Sequence, residues 1–234
     1  VHMSAGFAAL AGAMMIGKRK NPHHEPSTIP FVILGTGMLW FGWFGFNAGS
    51  ALSANATAAM AFGTTTIASG TAMLSWIFFD RVNGRKVSAL GACIGAVVGL
   101  VAITPAAGFV TIPHAIFIGF ISAIVSNLMC NWKRLKKVDD TLDVFACHGV
   151  GGIMGMILTA ILAQGENASL LHGGFEVFAH HMMALVLVSA FTFLGSLVLY
   201  KLTDIIIPLR VAEDSENISL YLSHYDEKKI KKVF

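Results

Sequence analysis

The sequence predicts an all-α, polytopic transmembrane bundle of about seven helices. Three observations support this prediction. Hydrophobic residues make up 55% of the 234 residues and charged residues only 12%, whereas a soluble domain carries about 25% charged residues. The mean hydropathy is +0.70. The apolar residues are gathered into stretches, several of them long enough to cross a hydrocarbon core ~30 Å thick.

Seven apolar stretches are candidate spans, and in chain order they cover 1–17, 29–51, 57–79, 88–103, 113–131, 143–163 and 175–207. The first and fourth are short for a span. The last is longer than a bilayer requires, so it should tilt or project from the membrane. Residues 1–207 are therefore predicted to form the transmembrane domain, and the polar residues 208–234 a cytoplasmic tail.

The basic residues follow the same alternation. Lysines and arginines occur in the first, third and fifth connections and near the end of the last stretch or after it, but not in the second, fourth or sixth connection. They are residues 18–20, 81, 85, 86, 133, 134, 136, 137, 201, 210, 228, 229, 231 and 232. Because basic residues are retained on the cytoplasmic side, the pattern predicts a cell-membrane protein with its N-terminus outside and its C-terminus in the cytoplasm.

Composition also argues against several classes of protein. A basic stripe with interleaved aromatic residues, as nucleic-acid binding would need, is not visible. Cys93, Cys130 and Cys147 lack the spacing of metal ligands and are expected to be packing residues. No metal site is predicted. The chain opens Val1-His2-Met3, inside an apolar stretch and without a signal-like cleavage site, so we expect it to be a fragment or a truncated gene product.

Two histidines within apolar stretches are the first candidate functional residues, because ionisable residues at membrane depth mark functional sites. His2 begins the first stretch, and His148 lies about a turn and a half into the sixth. Three interpretations are open. Each ring could be hydrogen-bonded in the bundle interior, the two could form a donor–acceptor relay, or both could ligate a haem, which a Soret band would reveal.

Two further features adjoin these histidines in the sequence. Asp143 begins the sixth stretch, where a carboxylate would cap the helix and complement its dipole. The second stretch contains the aromatic run 40–46, followed by Ser50. This run fits an interfacial aromatic belt. It equally fits a site for a small cation, held by cation–π attraction to Trp43 and Phe46 and by the Ser50 hydroxyl.

Five segments together closely resemble the ammonium transporter (Amt/Mep/Rh) family. They are GWFGFNAGS at 42–50, LGA at 90–92, TPAAG at 104–108, VDD at 138–140 and DVFACHGVGG at 143–152. The segments occur in the family's order and at similar spacing, and the likeness covers nearly the whole chain.

The resemblance implies a fold of eleven helices, of which this chain would contain helices five to eleven. The first four helices would then be absent, together with the family's other gating phenylalanine and its outer-site tryptophan. Helices six to ten would form one half of an inverted repeat. The resemblance also implies a homotrimer with one pore per subunit, and a PII-class regulatory protein as a partner at the cytoplasmic face.

The same resemblance implies roles for single residues. His2 and His148 would be the paired pore histidines of a narrow hydrophobic conduit. Phe46 would be an outer gate, and Ser50 would line the outer ammonium site. The residues implied to line the conduit wall are Leu39, Trp43 and Val144. Asp143 would be a structural carboxylate at the cytoplasmic end of its helix.

The implied activity is transport of ammonium or ammonia, with neither a cofactor nor an enzymatic reaction. Ammonium would be recruited at the aromatic site and would give up its proton, because a bare cation is costly in an apolar conduit. Ammonia would then pass the histidines, while the proton crosses separately by a relay that includes them. The alternative is an ammonium sensor that signals through its tail, and without the first four helices the chain is expected to be inactive alone.

Overall fold

The computed structural model describes residues 1–20, 28–132, 137–165 and 169–211. His23, His24 and most of the predicted tail lie outside these ranges. Within them the chain forms helices and turns and contains no strand, which confirms the all-α prediction. The α-helices are α1 (His2–Ile16), α2 (Ile29–Ala48), α3 (Ala56–Val82), α4 (Ala89–Ile103), α5 (Ile112–Cys130), α6 (Gly151–Leu162) and α7 (Phe175–Ile206).

Three short elements complete the described helices. A π-helical turn, Phe145–Val150, leads directly into α6. A 3₁₀ turn, Gly49–Ala51, extends α2, and another, Leu170–His172, precedes α7. Each of the seven predicted stretches therefore corresponds to a helix, with ends that differ by a few residues.

Four of these segments are long and apolar enough to cross a membrane by length and composition. They are Ile29–Ala51, Ile112–Cys130, Phe145–Leu162 and Phe175–Ile206. Helices α1 and α4 have 15 residues each and are shorter than a usual span. Helix α3 has 27 residues but is more polar, with buried Thr64, Ser69 and Asp80. The count of seven spans stays a prediction.

The helices begin where side chains can satisfy their first backbone N–H groups. Asn55 accepts a hydrogen bond from the backbone N–H of Ala58 at the start of α3 (2.9 Å), and Ser88 accepts one from Gly91 at the start of α4 (3.0 Å). Thr111 caps α5 by accepting from the N–H of His114. Such caps stabilise a helix by about 1 kcal/mol each, so these residues fix where the helices start.

Helices α3, α4 and α5 pack closely at the centre of the bundle. Gly99 of α4 and Gly119 of α5 both face the backbone of Ala68 in α3, and a Cβ atom at either glycine would overlap its carbonyl oxygen. In a membrane, small residues allow this approach, and the resulting van der Waals contact replaces the hydrophobic effect as the packing force. These two glycines therefore serve helix packing.

One end of the bundle gathers the described parts of the basic connections. The Arg19 guanidinium pairs with the Asp139 carboxylate, which joins the first connection to the fifth. Arg210, after α7, donates to the carbonyl oxygens of Ile16 and Lys18. Arg85, in the third connection, donates to Asn127 near the end of α5. At the opposite end, Gln164 N–H donates to the Phe109 carbonyl oxygen (2.7 Å). These contacts agree with the predicted alternation of the connections.

Candidate functional site

The two predicted histidines lie side by side. The ring centroids of His2 and His148 are 5.6 Å apart, and the ring planes are tilted by 40°. Nε2 of His2 and Nδ1 of His148 are buried without a hydrogen-bond partner. The sequence left open a donor–acceptor bond between the rings, but these two nitrogens make no such bond. Their hydrogen-bonding capacity is unused among the described residues.

Close contact between two backbones brings the histidines together. Gly6 lies one turn after His2 on the same face of α1, because residues four apart share a helix face. It packs directly on Gly149, the neighbour of His148, and a side chain on Gly6 would overlap the backbone of Gly149. Farther along the pair of helices, Gly152 packs against Met3. The rings can approach because both elements carry glycine at their crossing.

His148 lies inside the π-helical turn Phe145–Val150. Such a turn is wider than an α-helical turn, is rare, and is often found at functional sites. The Asp140 carboxylate accepts a hydrogen bond from the backbone N–H of Phe145 (2.6 Å) at the beginning of the turn. The Phe145 ring in turn meets the Phe7 ring of α1 edge to face, with centroids 5.3 Å apart.

Two aromatic rings of α2 pack against the His2 ring. The Trp43 indole stacks on the His2 ring, with centroids 4.9 Å apart and planes within 22°. Phe46 lies 5.8 Å from His2 and meets Trp43 edge to face at 5.7 Å. The indole Nε1 of Trp43 donates to Thr104 Oγ1 (2.9 Å), which fixes the orientation of the indole. These two aromatic residues thus adjoin His2 directly.

A cavity lies on each side of the histidine pair. One, of about 590 Å³, is lined on α2 by Leu39, Trp43 and Phe46 and on α1 by His2. The other, of about 400 Å³, is lined by His148, Cys147 and Asp143 and by mostly apolar residues from the N-terminal parts of α2 and α4. The second cavity lies toward the end of the bundle that carries the basic residues. The imidazoles therefore stand between two largely apolar spaces.

Comparison with known proteins shows the family of the chain. The model of the Ammonium Transporter Family matches residues 1–230. The chain belongs to this family. It is 42% identical to the ammonium transporter Amt1 of Archaeoglobus fulgidus, over 97% of this chain and 59% of the relative. It is 41% identical to an ammonium transporter of Aquifex aeolicus, over 97% of this chain and 55% of that protein.

Solved structures of the ammonium transporter family share the fold. The chain matches the crystal structure of Saccharomyces cerevisiae Mep2 with a TM-score of 0.85 and 33% identity, over 92% of this chain and 52% of that one. It matches a structure titled "Sensor Amt Protein" with a TM-score of 0.84 and 29% identity, over 96% of this chain and 58% of that one. The chain spans a little over half the length of each of these four proteins.

The other residues named by the family resemblance have clear positions. The Ser50 hydroxyl is exposed in the 3₁₀ turn after α2 and donates to the Phe46 carbonyl oxygen (2.6 Å). Val144 immediately precedes the π-helical turn. Asp143 has a left-handed backbone (φ 51°), and its carbonyl oxygen accepts from the N–H of Cys147. The roles assigned to these residues stay predictions.

Three features in and around the candidate site were missed by sequence reasoning. The capping carboxylate on Phe145 is that of Asp140, which the sequence showed only as part of the VDD segment. Thr104, noted only within TPAAG, orients Trp43. The Arg19–Asp139 ion pair had no local signal, because its partners are 120 positions apart.

Proposed function

We propose that the protein carries ammonium nitrogen across a membrane, taking up ammonium on the aromatic side and passing ammonia beside the histidines. The observation that carries this proposal is the pair His2–His148, set between two apolar cavities with unpartnered ring nitrogens. A buried nitrogen without a hydrogen-bond partner destabilises the protein, and a guest molecule that hydrogen-bonds to it removes that cost. Ammonia both donates and accepts hydrogen bonds, and it is small and uncharged.

The aromatic side supplies a recruiting site for the cation. The Phe46 and Trp43 rings offer π-faces to ammonium. Because the Ser50 hydroxyl gives its proton to the Phe46 carbonyl oxygen, its lone pairs stay available to accept from an ammonium N–H. The apolar lining then disfavours the charged form, so the proton leaves before the nitrogen moves on. Nitrogen crosses as ammonia, and the proton follows a separate route through the histidines.

Uptake of labelled methylammonium tests the proposal. The protein would be produced from its complete reading frame in cells that lack other ammonium transport. We expect saturable uptake that ammonium competes away. We expect His148→Ala to change the rate of uptake or the selectivity for ammonium over potassium, because one imidazole of the histidine pair is lost. His180→Ala, an exposed histidine on α7, is the matched control. Unchanged rate and selectivity in His148→Ala would refute the role of the pair.

The membrane setting is part of the same proposal. Basic connections would face the cytoplasm, as the positive-inside rule requires. Helices α2 and α7 have no buried residue in their most apolar windows, so lipid or other protein must cover them in a membrane. We propose a homotrimer for this reason and from the family resemblance, with a PII-class protein as the cytoplasmic partner. Native mass spectrometry of the purified protein, with and without a PII-class protein, tests both.

A sensor is the second candidate, favoured by the match to the structure titled "Sensor Amt Protein". A sensor would bind ammonium at the same rings and move little nitrogen. Binding without uptake in reconstituted vesicles would favour the sensor. Uptake that continues over many transport cycles would favour the transporter.

A further inference from the structure

We infer that Arg19, Asp139 and Asp140 are positioning residues, which hold the turn that carries His148 against α1 and so fix the spacing of the two histidines. None of the three lines either cavity described above. All three lie in connections at the basic end of the bundle. The inference builds on the proposed function, because it assigns these residues to the same histidine pair.

The ion pair between Arg19 and Asp139 is the anchor of this arrangement. Arg19 donates three hydrogen bonds to the one carboxylate, from Nη2 (2.6 Å), from Nε (2.9 Å) and from its backbone N–H (2.8 Å). The Asp139 side chain is only 7% exposed. A forked, shielded contact of this kind holds geometry better than an exposed ion pair. It joins the segment after α1 to the segment before the His148 turn.

Arg19 is itself held close to the end of α1. It lies three residues beyond Ile16, the last residue of the helix. Arg210 donates to the carbonyl oxygens of Ile16 (3.1 Å) and Lys18 (2.9 Å), on either side of the helix end. Because Arg19 also binds Asp139, these contacts tie the position of Asp139 to α1, the helix that begins with His2.

Asp140 connects Asp139 to the π-helical turn. It follows Asp139 directly, and its carboxylate accepts from the backbone N–H of Phe145 (2.6 Å). Its carbonyl oxygen also accepts from the N–H of Asp143 (3.1 Å), which closes the connecting turn. His148 is three residues after Phe145, within the same turn. A shift of Asp139 would therefore shift the first turn of the element that carries His148.

The contacts between α1 and this turn complete the link. The Phe145 ring meets Phe7, and Gly149 meets Gly6. The two histidine-bearing elements are thus joined at their basic ends by charge and farther along by close packing. A misplacement of about 1 Å at a reacting group can cost roughly 100-fold in rate. The ion pair and the packing contacts together keep the ring centroids of His2 and His148 5.6 Å apart.

Exchange of the two charges tests the inference in the complete protein. Arg19→Gln and Asp139→Asn should each lower the maximal rate of methylammonium uptake roughly tenfold, with KM changed by less than about twofold. The double exchange Arg19→Asp with Asp139→Arg should recover part of that rate. Arg81→Gln removes an exposed positive charge from the same end and should leave the rate unchanged. Arg19→Lys keeps the charge without the fork and should give an intermediate rate.

Asp140 is tested by a conservative pair. Asp140→Asn keeps an oxygen that can accept from Phe145 N–H, whereas Asp140→Ala removes it. We expect a near-normal rate for the first and a loss like that of Arg19→Gln for the second. Equal loss in both variants would overturn the positioning role of Asp140.

A spectroscopic measurement separates positioning from general stability. The ¹⁵N signals of His148, assigned by their loss in His148→Ala, should shift in Arg19→Gln and return in the double exchange. Unshifted signals would overturn the inference, even if uptake falls. If the unmodified protein takes up no methylammonium, the proposed transport fails, yet the same shifts still decide whether these residues position His148.

Discussion

At the scale of single residues, the proposed outer ammonium site depends on the Ser50 hydroxyl. Its proton is used on the Phe46 carbonyl oxygen, which leaves its oxygen as an acceptor. A hydrogen bond to a charged group contributes about 1.5–3 kcal/mol. We therefore expect Ser50→Ala to raise the KM for methylammonium roughly tenfold. Ser53→Ala, an exposed serine nearby, is the control, and a KM unchanged in Ser50→Ala would contradict the assignment.

Asp139 gives a prediction for pH. The Arg19 guanidinium holds the pKa of the Asp139 carboxyl below its usual range, chiefly by hydrogen bonds. A group whose pKa is lowered in the folded protein contributes stability above its usual pKa, and that contribution is lost as pH falls through the lowered value. The difference in apparent Tm between the unmodified protein and Asp139→Asn should thus stay constant from about pH 8 to pH 5 and shrink only below about pH 4. A difference that disappears already at pH 6 would contradict the ion pair.

The sequence predicted the roles and neighbours of some single residues and missed those of others. The residues alone left a pairing of His2 with His148 as one of three interpretations, and the family resemblance selected it, since nothing local links residues so far apart. Phe46 and Trp43 were predicted as an aromatic cluster, and they lie beside His2. Thr104 and Asp140 were not singled out, because a hydroxyl or a carboxylate near a helix end has many ordinary roles. Their partners became visible only when three-dimensional contacts were known.

At the scale of helices, packing at glycine gives a direct test. Gly119→Ala would drive a methyl group into the Ala68 carbonyl oxygen, whereas a Cβ atom at Gly70 of α3 meets no atom within 4 Å. Overpacking costs about 1–3 kcal/mol, so Gly119→Ala should lower the apparent Tm in detergent. Gly70→Ala should leave it unchanged or raise it slightly, because alanine favours helix. Equal Tm values for the two variants would contradict the close approach of α3 and α5.

Helix positions followed from hydropathy, but helix type did not. The predicted stretch 143–163 contains the π-helical turn Phe145–Val150 and then α6. Both have the same apolar composition, so no residue pattern separates them. The turn depends on tertiary contacts, namely the Asp140 cap at its beginning and the Gly6–Gly149 crossing beside His148.

At the scale of the whole molecule, the two ends of the bundle differ in charge, and this predicts its orientation. Leu52 is 92% exposed between α2 and α3, at the end without lysine or arginine. Lys86 is exposed between α3 and α4. In intact cells, a membrane-impermeant maleimide should label Leu52→Cys, and should label Lys86→Cys only after the cells are opened. The reverse pattern would overturn the proposed topology.

The Arg19–Asp139 contact also has a consequence for biosynthesis. Its partners are separated by 120 positions, which a ribosome translates in roughly ten seconds at about 5–20 residues per second. During that interval α1 already lies in or near the membrane, with the His2 ring lacking its neighbour. The histidine pair therefore forms late, after the segment that contains His148 has been made. A truncated nascent chain that stops before residue 139 would hold Trp43 and Phe46 and still have no pair of imidazoles.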